Sequence, residues 1–152
     1  MDWTQVLEIQ QVLNRYFCAL DERSLEVAQL ERLFTQDARV VRPNGTALVG
    51  PATIAQSHRE SMARFSSTQH LLSGQDVAID GETASVRANL VAMHLWPEAR
   101  GNANSPENYF LAGGVITAGF VRTSEGWRIS QVENRVVWRA GGGFERMAEI
   151  GR

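Results

Sequence analysis

Residues 79–95 read Ile-Asp-Gly-Glu-Thr-Ala-Ser-Val-Arg-Ala-Asn-Leu-Val-Ala-Met-His-Leu. The Asp80-Gly81 pair is a strong hairpin signal, and the residues after it alternate with a period of two, as in a long strand. One face of this strand is apolar until its last member, and we expect that face to meet the core. Its members are Ala84, Val86, Ala88, Leu90, Ala92 and His94. The stretch therefore predicts a hairpin in an antiparallel sheet, with an imidazole near one end of its buried face.

The rest of the chain is predicted to run from helices to long strands. Helices are expected at 2–20, 24–34 and 51–65, and strands at 38–42, 46–49, 68–79, 82–95, 109–123 and 127–139, before a glycine-rich tail. The first two helices would form a helical hairpin. This order predicts an α+β fold, a single domain over residues 1–152, in which helices pack on one face of a strongly bent, mostly antiparallel sheet. Such a sheet makes a cone-shaped barrel whose apolar interior is a natural small-molecule site.

Charge and composition exclude several classes of function. The net charge is −2 and every basic side chain except histidine is an arginine, so a basic nucleic-acid-binding footprint is not expected. No segment approaches the roughly 20 apolar residues that cross a bilayer, and the first residues lack a basic, apolar leader. These features predict a cytosolic protein. The one cysteine, Cys18, excludes a disulfide within the chain and is predicted to be buried on the apolar side of the first helix.

The three histidines, His58, His70 and His94, differ in their predicted surroundings. His58 lies in a polar helical pattern and is predicted to be at the surface. The other two lie on strands, where an imidazole that faces the core is costly unless it is hydrogen-bonded or used. A satisfied core histidine is the commoner outcome for either one alone. Asp21, near the end of the first helix, is a possible partner for His70, and Tyr16 on the same helix is predicted to point inward.

Six segments carry a resemblance that spans nearly the whole chain. They are Arg15-Tyr16-Phe17-Cys18-Ala19-Leu20-Asp21, Phe34-Thr35-Gln36-Asp37-Ala38, Gly50-Pro51-Ala52-Thr53-Ile54, Gln69-His70-Leu71-Leu72-Ser73, Ile79-Asp80-Gly81-Glu82-Thr83-Ala84 and Gly126-Trp127-Arg128-Ile129. Their order and spacing resemble the SnoaL-like branch of the NTF2-like superfamily of cone-shaped α+β barrels. Within it, the branch of scytalone dehydratase and the bile-acid 7α-dehydratase is the most similar. That branch commonly has an asparagine a few residues after the histidine motif, where this chain has Gly74.

The resemblance implies catalytic roles for Tyr16, Asp21 and His70. It also implies a second polar residue on the next long strand, which His94 matches, and another from the last strands. Asn134 or Arg135 can supply the latter, but not both, because neighbouring residues of a strand point to opposite faces. No cofactor is implied. The relatives are commonly homodimers, with some trimers, so a homo-oligomer is expected, with a dimer favoured.

The residues themselves predict what an Asp21–His70 pair can do. The carboxylate would fix the imidazole tautomer and raise its basicity, so that His70 takes a proton from a carbon beside a carbonyl. Tyr16 and His94 would stabilise the developing enolate. A metal site is not expected, because the ligand spacing is not tight. Apolar residues that include Leu72 and Trp138 are expected to line the site and suit a ring-shaped, moderately hydrophobic substrate.

The predicted function is therefore a cofactor-independent dehydratase, cyclase or isomerase that acts on a small cyclic carbonyl compound. Two alternatives stay open. One is a binding domain without chemistry, in which Asp21 and His70 form a structural pair inside a filled cone. The other is a β-type subunit of a ring-hydroxylating oxygenase, with an exposed apolar sheet face that contacts a different chain.

Overall fold

The computed structural model describes residues 1–99 and 102–150 as helices packed on one sheet. The helices and strands are α1 Trp3–Glu22, α2 Val27–Glu31, β1 Phe34–Val41, β2 Ala47–Val49, α3 Pro51–Met62, β3 Ser67–Asp80, β4 Thr83–Leu95, β5 Tyr109–Thr123, β6 Gly126–Ala140 and α4 Met147–Ile150, and short 3₁₀ turns lie at Pro97–Ala99, Pro106–Asn108 and Gly142–Arg146. The predicted α+β plan is confirmed. The hairpin at Asp80-Gly81 joins β3 to β4, as its sequence predicted.

The six strands form a sheet in the order β2-β1-β6-β5-β4-β3. All neighbours are antiparallel except β1 and β6, which run parallel. Register shifts interrupt β3 between Ser73 and Asp76, and they interrupt the β5–β6 ladder at Gly113/Gly114 and Gly119/Phe120. Irregularities of this kind bend a strand and increase its twist. The sheet therefore curves, and its concave face can surround a hollow instead of packing flat.

Helix α1 lies against β3 and β6 through a continuous apolar side. Asp2 caps its start by accepting hydrogen bonds from the backbone N–H groups of Thr4 and Gln5. Its buried residues are Val6, Ile9, Val12, Leu13, Tyr16, Phe17, Ala19 and Leu20. The prediction that Cys18 is buried is wrong, because Cys18 is exposed. It lies three and four residues from Arg15 and Glu22 on the outer side of the helix, and so it faces away from the sheet.

The predicted second helix is much shorter than expected. It spans only Val27–Glu31, and Phe34 already belongs to β1. The backbone carbonyl of Leu33 accepts a hydrogen bond from the Ile129 N–H at 2.7 Å, and Phe34 pairs with Ile129 across the parallel ladder. The residues around Phe34 therefore form a strand that pairs with β6, although their local spacing favours a helix.

The core fills the space between α1, α3 and the concave face of the sheet. Its largest fully buried side chains are Trp96, Trp127, Phe34, Phe120, Ile9, Leu13, Leu25, Leu30, Ile54, Ile116 and Ile129. None of the helices within the described residues is both long and apolar enough to cross a membrane. The core stops short of one end of the cone, and the polar side chains described next lie there.

Candidate active site

A cavity of about 520 Å³ lies inside the cone, within the size range of small-molecule sites. Helices α1 and α3, strands β1 and β3 to β6, and residues of the tail contribute to its walls. Exposed residues at its outer end, among them Pro43, Asn44 and Arg139, show that this end meets solvent. The interior is therefore a hollow with a mouth, and several polar side chains are placed along its walls.

Asp21 and His70 meet at this cavity. Asp21 lies in the last turn of α1 and His70 lies on β3. The carboxylate Oδ1 is 2.6 Å from the imidazole Nδ1, and Oδ2 accepts a hydrogen bond from the His70 backbone N–H at 2.8 Å. The side chain of His70 is 7% exposed and lines the cavity, while Asp21 is 21% exposed and lies behind it. The geometry brings together the two residues that the sequence analysis paired.

Two neighbours hold the Asp21 carboxylate in place. The Thr68 hydroxyl donates a hydrogen bond to Asp21 Oδ1 at 3.0 Å. Thr68 in turn accepts one from the guanidinium of Arg23, which also binds the backbone carbonyl of Leu20. Arg23 ends α1 in the left-handed conformation, with φ of 59°, and this turns its side chain back toward β3. The end of the helix and the strand are thus tied together around the carboxylate.

The ionisation of Asp21 fixes the tautomer of His70. Burial acts to raise the pKa of Asp21, but hydrogen bonds from the His70 side chain and backbone outweigh it, and the pKa lies below its usual value. An ionised carboxylate can only accept hydrogen bonds, so the hydrogen of a neutral His70 lies on Nδ1. The other nitrogen, Nε2, then keeps its lone pair, and it is the atom that a base would use.

His94 and Asn134 present polar atoms without partners to the same cavity. Among the described residues, nothing hydrogen-bonds to the buried His94 Nδ1 or to the buried Asn134 Oδ1. The His94 ring stacks on Phe110 with centroids 4.1 Å apart, and it meets the His70 ring edge-on at 5.9 Å. Burial, and then the charge of His70, lower the pKa of His94 to about 4, although hydrogen bonding with the backbone of Phe110 and Ala92 acts to raise it, so His94 is neutral near neutral pH. Buried polar groups without partners are rare in proteins, and these two are suited to polar atoms of a ligand.

Tyr16 is hydrogen-bonded to a histidine that the sequence analysis placed at the surface. The Tyr16 hydroxyl lies 2.8 Å from His58 Nε2, and both side chains are buried at the cavity wall. Burial, and then the charge of Arg42, lower the pKa of His58 to about 4, while burial raises the pKa of Tyr16. The surface prediction for His58 is wrong. Its four-residue spacing from Ile54 and Met62 places it on the buried side of α3, and that spacing was the available signal.

A family model for the SnoaL-like domain matches residues 2–133. The chain belongs to the SnoaL-like family. A curated relative, the uncharacterized protein Rv2910c of Mycobacterium tuberculosis, is 32% identical over 124 residues, which cover 81% of this chain and 79% of the relative. The predicted resemblance to SnoaL-like and NTF2-like proteins is therefore confirmed.

Solved structures of this fold include proteins with enzyme names. The Kfla4162 protein of Kribbella flavida superposes with a TM-score of 0.84 at 25% identity, covering 96% of this chain and 99% of that one. A protein described as a scytalone dehydratase, from Novosphingobium aromaticivorans, has a TM-score of 0.77 at 18% identity and coverages of 92% and 89%. Hexachlorocyclohexane dehydrochlorinase (LinA) has a TM-score of 0.77 at 13% identity and coverages of 91% and 89%. The last two likenesses show the fold alone.

Three predicted lining residues of this SnoaL-like domain lie away from the cavity lining. Leu72 packs against the core beyond the cavity. Trp138 is 45% exposed and covers Gly113, where an added Cβ would lie only 2.0 Å from the indole ring. Arg135 is exposed, whereas its neighbour Asn134 lines the cavity. Strand alternation explains the choice between Asn134 and Arg135, since one of two consecutive residues must point outward.

The resemblance predicts an asparagine where this chain has Gly74. Gly74 lies outside the cavity lining, at the irregularity of β3, with a φ of 57°. Glycine and asparagine are the residues that most readily adopt this left-handed conformation. The difference at this position therefore concerns the backbone of β3.

Within residues 1–99 and 102–150, no three His, Cys, Asp or Glu side chains are grouped as the ligands of a metal would be.

Proposed function

We propose that this SnoaL-like protein is a cofactor-independent acid–base enzyme that acts on a small cyclic carbonyl compound. Elimination of water is the reaction we favour, with ring closure or isomerisation as variants of the same proton transfer. The observation that carries the proposal is the 2.6 Å contact between Asp21 Oδ1 and His70 Nδ1 at the wall of a hollow that also contains unpaired polar atoms.

In the first step, His70 Nε2 removes a proton from the carbon next to the substrate carbonyl. The Asp21 carboxylate keeps the hydrogen of His70 on Nδ1 and stabilises the imidazolium that forms. The electron pair of the broken C–H bond moves into an enolate, whose negative charge develops on the carbonyl oxygen. General acid–base catalysis of this kind contributes roughly 10²–10⁴-fold to a rate.

His94 and Tyr16 are the proposed donors to the enolate oxygen. His94 is neutral near neutral pH and therefore has one N–H to donate. Its unpaired Nδ1 lies in the cavity, and its ring is next to that of His70. Tyr16 can donate its own proton when His58 Nε2 carries a hydrogen and donates to the tyrosine oxygen. Donors that are already positioned where charge develops stabilise the transition state without reorganising.

In the second step, the His70 imidazolium returns the proton. In an elimination, the enolate re-forms its carbonyl, the β-carbon–oxygen bond breaks, and the proton goes to the departing hydroxyl, so that water leaves. In an isomerisation, the substrate also has a C=C bond next to the α-carbon, so the enolate is a dienolate; the proton goes to its far carbon and the double bond moves into conjugation with the carbonyl. Asn134 Oδ1 is an acceptor without a partner among the described residues, and it is suited to orient a substrate hydroxyl.

Two observations favour catalysis over a purely structural Asp21–His70 pair. A filled cone would have been expected for a scaffold, whereas a hollow of about 520 Å³ adjoins His70. The names of two proteins with this fold, a dehydratase and a dehydrochlorinase, both denote eliminations. The homo-oligomer and the cytosolic location stay predictions from the sequence.

The proposal is tested by replacing His70 with alanine. We expect the wild-type protein to accelerate deuterium exchange at the α-carbon of cyclic ketones such as 2-tetralone in D₂O, followed by proton NMR. His70→Ala should lower this exchange by roughly 10²–10⁴-fold, because the base is removed. Gln69→Ala, which truncates an exposed neighbour on β3, is the matched control and should keep the wild-type rate. Equal exchange by wild type and His70→Ala, with both proteins folded by circular dichroism, would reject the role of His70.

A further inference from the structure

The cavity wall is positively charged although the whole chain is slightly acidic. Arg42, Arg64 and Arg139 line the cavity, and none of its lining residues within the described part of the chain is an aspartate or glutamate. The complete sequence nevertheless carries a formal net charge of −2. Three of the chain's 15 arginines thus face the hollow, where a substrate would meet them, with no carboxylate among the described lining residues beside them.

Arg42 is held at the mouth by neutral partners. It directly follows β1, and its guanidinium donates hydrogen bonds to the hydroxyls of Ser57 and, at 3.1 Å, Ser61 on α3. The side chain is half-buried, and no carboxylate among the described residues lies within ion-pair distance of it. Its charge is felt by the buried His58, whose pKa it lowers. A half-buried cation that is fixed by hydroxyls alone attracts an anion from solution.

Arg139 stands at the same mouth on β6, the strand that pairs with β1. It lies near the end of β6, and its guanidinium carbon is 4.1 Å from the ring centroid of Phe144 in the tail. This contact holds the guanidinium in position without neutralising it. Among the described residues no carboxylate is ion-paired with Arg139 either.

The two arginines border a second hollow as well as the main cavity. A groove of about 330 Å³ adjoins the mouth, and both Arg42 and Arg139 line it. Arg135 and Glu133 also border this groove, so its side chains carry three positive charges and one negative charge. Because Arg42 and Arg139 line both hollows, they lie where the cavity meets the groove.

We infer that the substrate carries an anionic oxygen group, a carboxylate or a phosphate, that binds between Arg42 and Arg139 while its ring extends toward His70. This inference rests on the proposed function for the position of the ring, and it adds the charge of the substrate. Guanidinium groups are well suited to such a group, because their planar donors match two anionic oxygens. A neutral ketone of the same size would leave both arginines without a counter-ion.

The test is equilibrium binding of probes that share a ring and differ in charge. Isothermal titration calorimetry compares 2-naphthoate, 2-naphthyl phosphate and the neutral 2-naphthamide. We expect at least one charged probe to bind roughly tenfold or more tightly than the amide, since a hydrogen bond to a charged group contributes more than a neutral one. The tighter of the two charged probes identifies the anionic group. If neither charged probe binds more tightly than the amide, the inference is wrong.

Variants assign the effect to the two arginines. Arg42→Gln and Arg139→Gln should each remove most of the preference for the charged probe. Arg122→Gln is the control, because Arg122 is hydrogen-bonded to Gln5 outside the cavity, and it should keep the preference. Arg139→Gln leaves the serine contacts of Arg42 intact, so it stays informative if Arg42→Gln is unstable in thermal unfolding. An unchanged preference in folded Arg139→Gln would overturn the inference.

Binding also separates this inference from the proposed function. The Asp21→Asn variant should lose proton exchange yet still prefer the charged probe, because the carboxylate lies behind His70 and outside the cavity lining. Charged-probe preference without any proton exchange by the wild type would reject the proposed chemistry and leave the anion site standing. Proton exchange by a wild type that does not prefer the charged probes would support the proposed chemistry and reject the anion site.

Discussion

Replacing Asp21 with asparagine leaves the shape of the site and reverses its hydrogen-bond pattern. In the wild type, three donors point at the carboxylate: the His70 Nδ1–H at 2.6 Å, the His70 backbone N–H at 2.8 Å and the Thr68 hydroxyl at 3.0 Å. An asparagine has one acceptor oxygen and one NH₂ group. If its oxygen faces the imidazole, its NH₂ group faces the backbone N–H, and two donors oppose each other.

The opposite orientation of the amide is therefore expected. The asparagine oxygen then accepts the backbone hydrogen bond, and its NH₂ group donates to His70 Nδ1. This forces the imidazole hydrogen onto Nε2, where the wild type has the lone pair of the proposed base. We expect proton exchange to fall by roughly 10²–10⁴-fold, a loss of about 3–5 kcal/mol of transition-state stabilisation. The free energy of unfolding should fall by only about 1–2 kcal/mol, since the partly exposed carboxylate loses hydrogen bonds that involve a charge.

Exchange of the α-proton and NMR of the imidazole nitrogens measure these two effects separately. Long-range correlations between imidazole protons and ¹⁵N should show the hydrogen of His70 on Nδ1 in the wild type and on Nε2 in the Asp21→Asn variant. Asp76→Asn makes the same chemical change at an exposed position of β3 and should leave both properties unchanged. The reasoning is refuted if the Asp21→Asn protein exchanges at the wild-type rate, or if it loses activity while His70 keeps its hydrogen on Nδ1.

Two further predictions concern the buried histidines. The pKa values of His58 and His94 are lowered from 6.5 to about 4 by burial, so between these pH values the unfolded chain binds more protons than the folded one. The free energy of unfolding should therefore have its full value above about pH 6.5 and fall as the pH decreases toward 4, by about 3 kcal/mol for each histidine. Urea unfolding at several pH values measures this free energy. A free energy of unfolding that does not change with pH would contradict the lowered pKa values. Tyr16→Phe removes the partner of His58 and should destabilise the fold by about 1–3 kcal/mol in the same assay; a change close to zero would mean that the 2.8 Å contact contributes nothing.

Local sequence patterns predicted most of the fold. The strands from Ser67 onward follow their period-two patterns closely, and the turn residues between them mark the hairpins. The clearest miss is the second helix, because the residues around Phe34 have helical spacing but pair with Ile129 on β6. A ladder with a strand nearly 100 residues away competes with local preference, and nothing in the neighbourhood of Phe34 reports it.

Some residues of the candidate site could be predicted from the sequence, and others could not. Asp21, His70, Tyr16 and His94 were found because each polar side chain stands out in an apolar pattern or at a helix end. The inward position of Asn134 rather than Arg135 could not be found, because register irregularities in the β5–β6 ladder change which residues of β6 point inward. Arg42 and Arg139 carried no signal, since each looks like an ordinary polar residue near a strand end.

The sequence by itself therefore determined the order of helices and strands and named the two residues of the proposed acid–base pair, because periodicity and turn chemistry act over a few residues. Only the tertiary structure decided that Tyr16 meets His58, that Asp21 meets His70 from behind, and that two arginines share one mouth. Each of these contacts joins side chains from distant segments. Their distances depend on how the sheet curves and how α1 and α3 pack on it, and no local pattern contains that information.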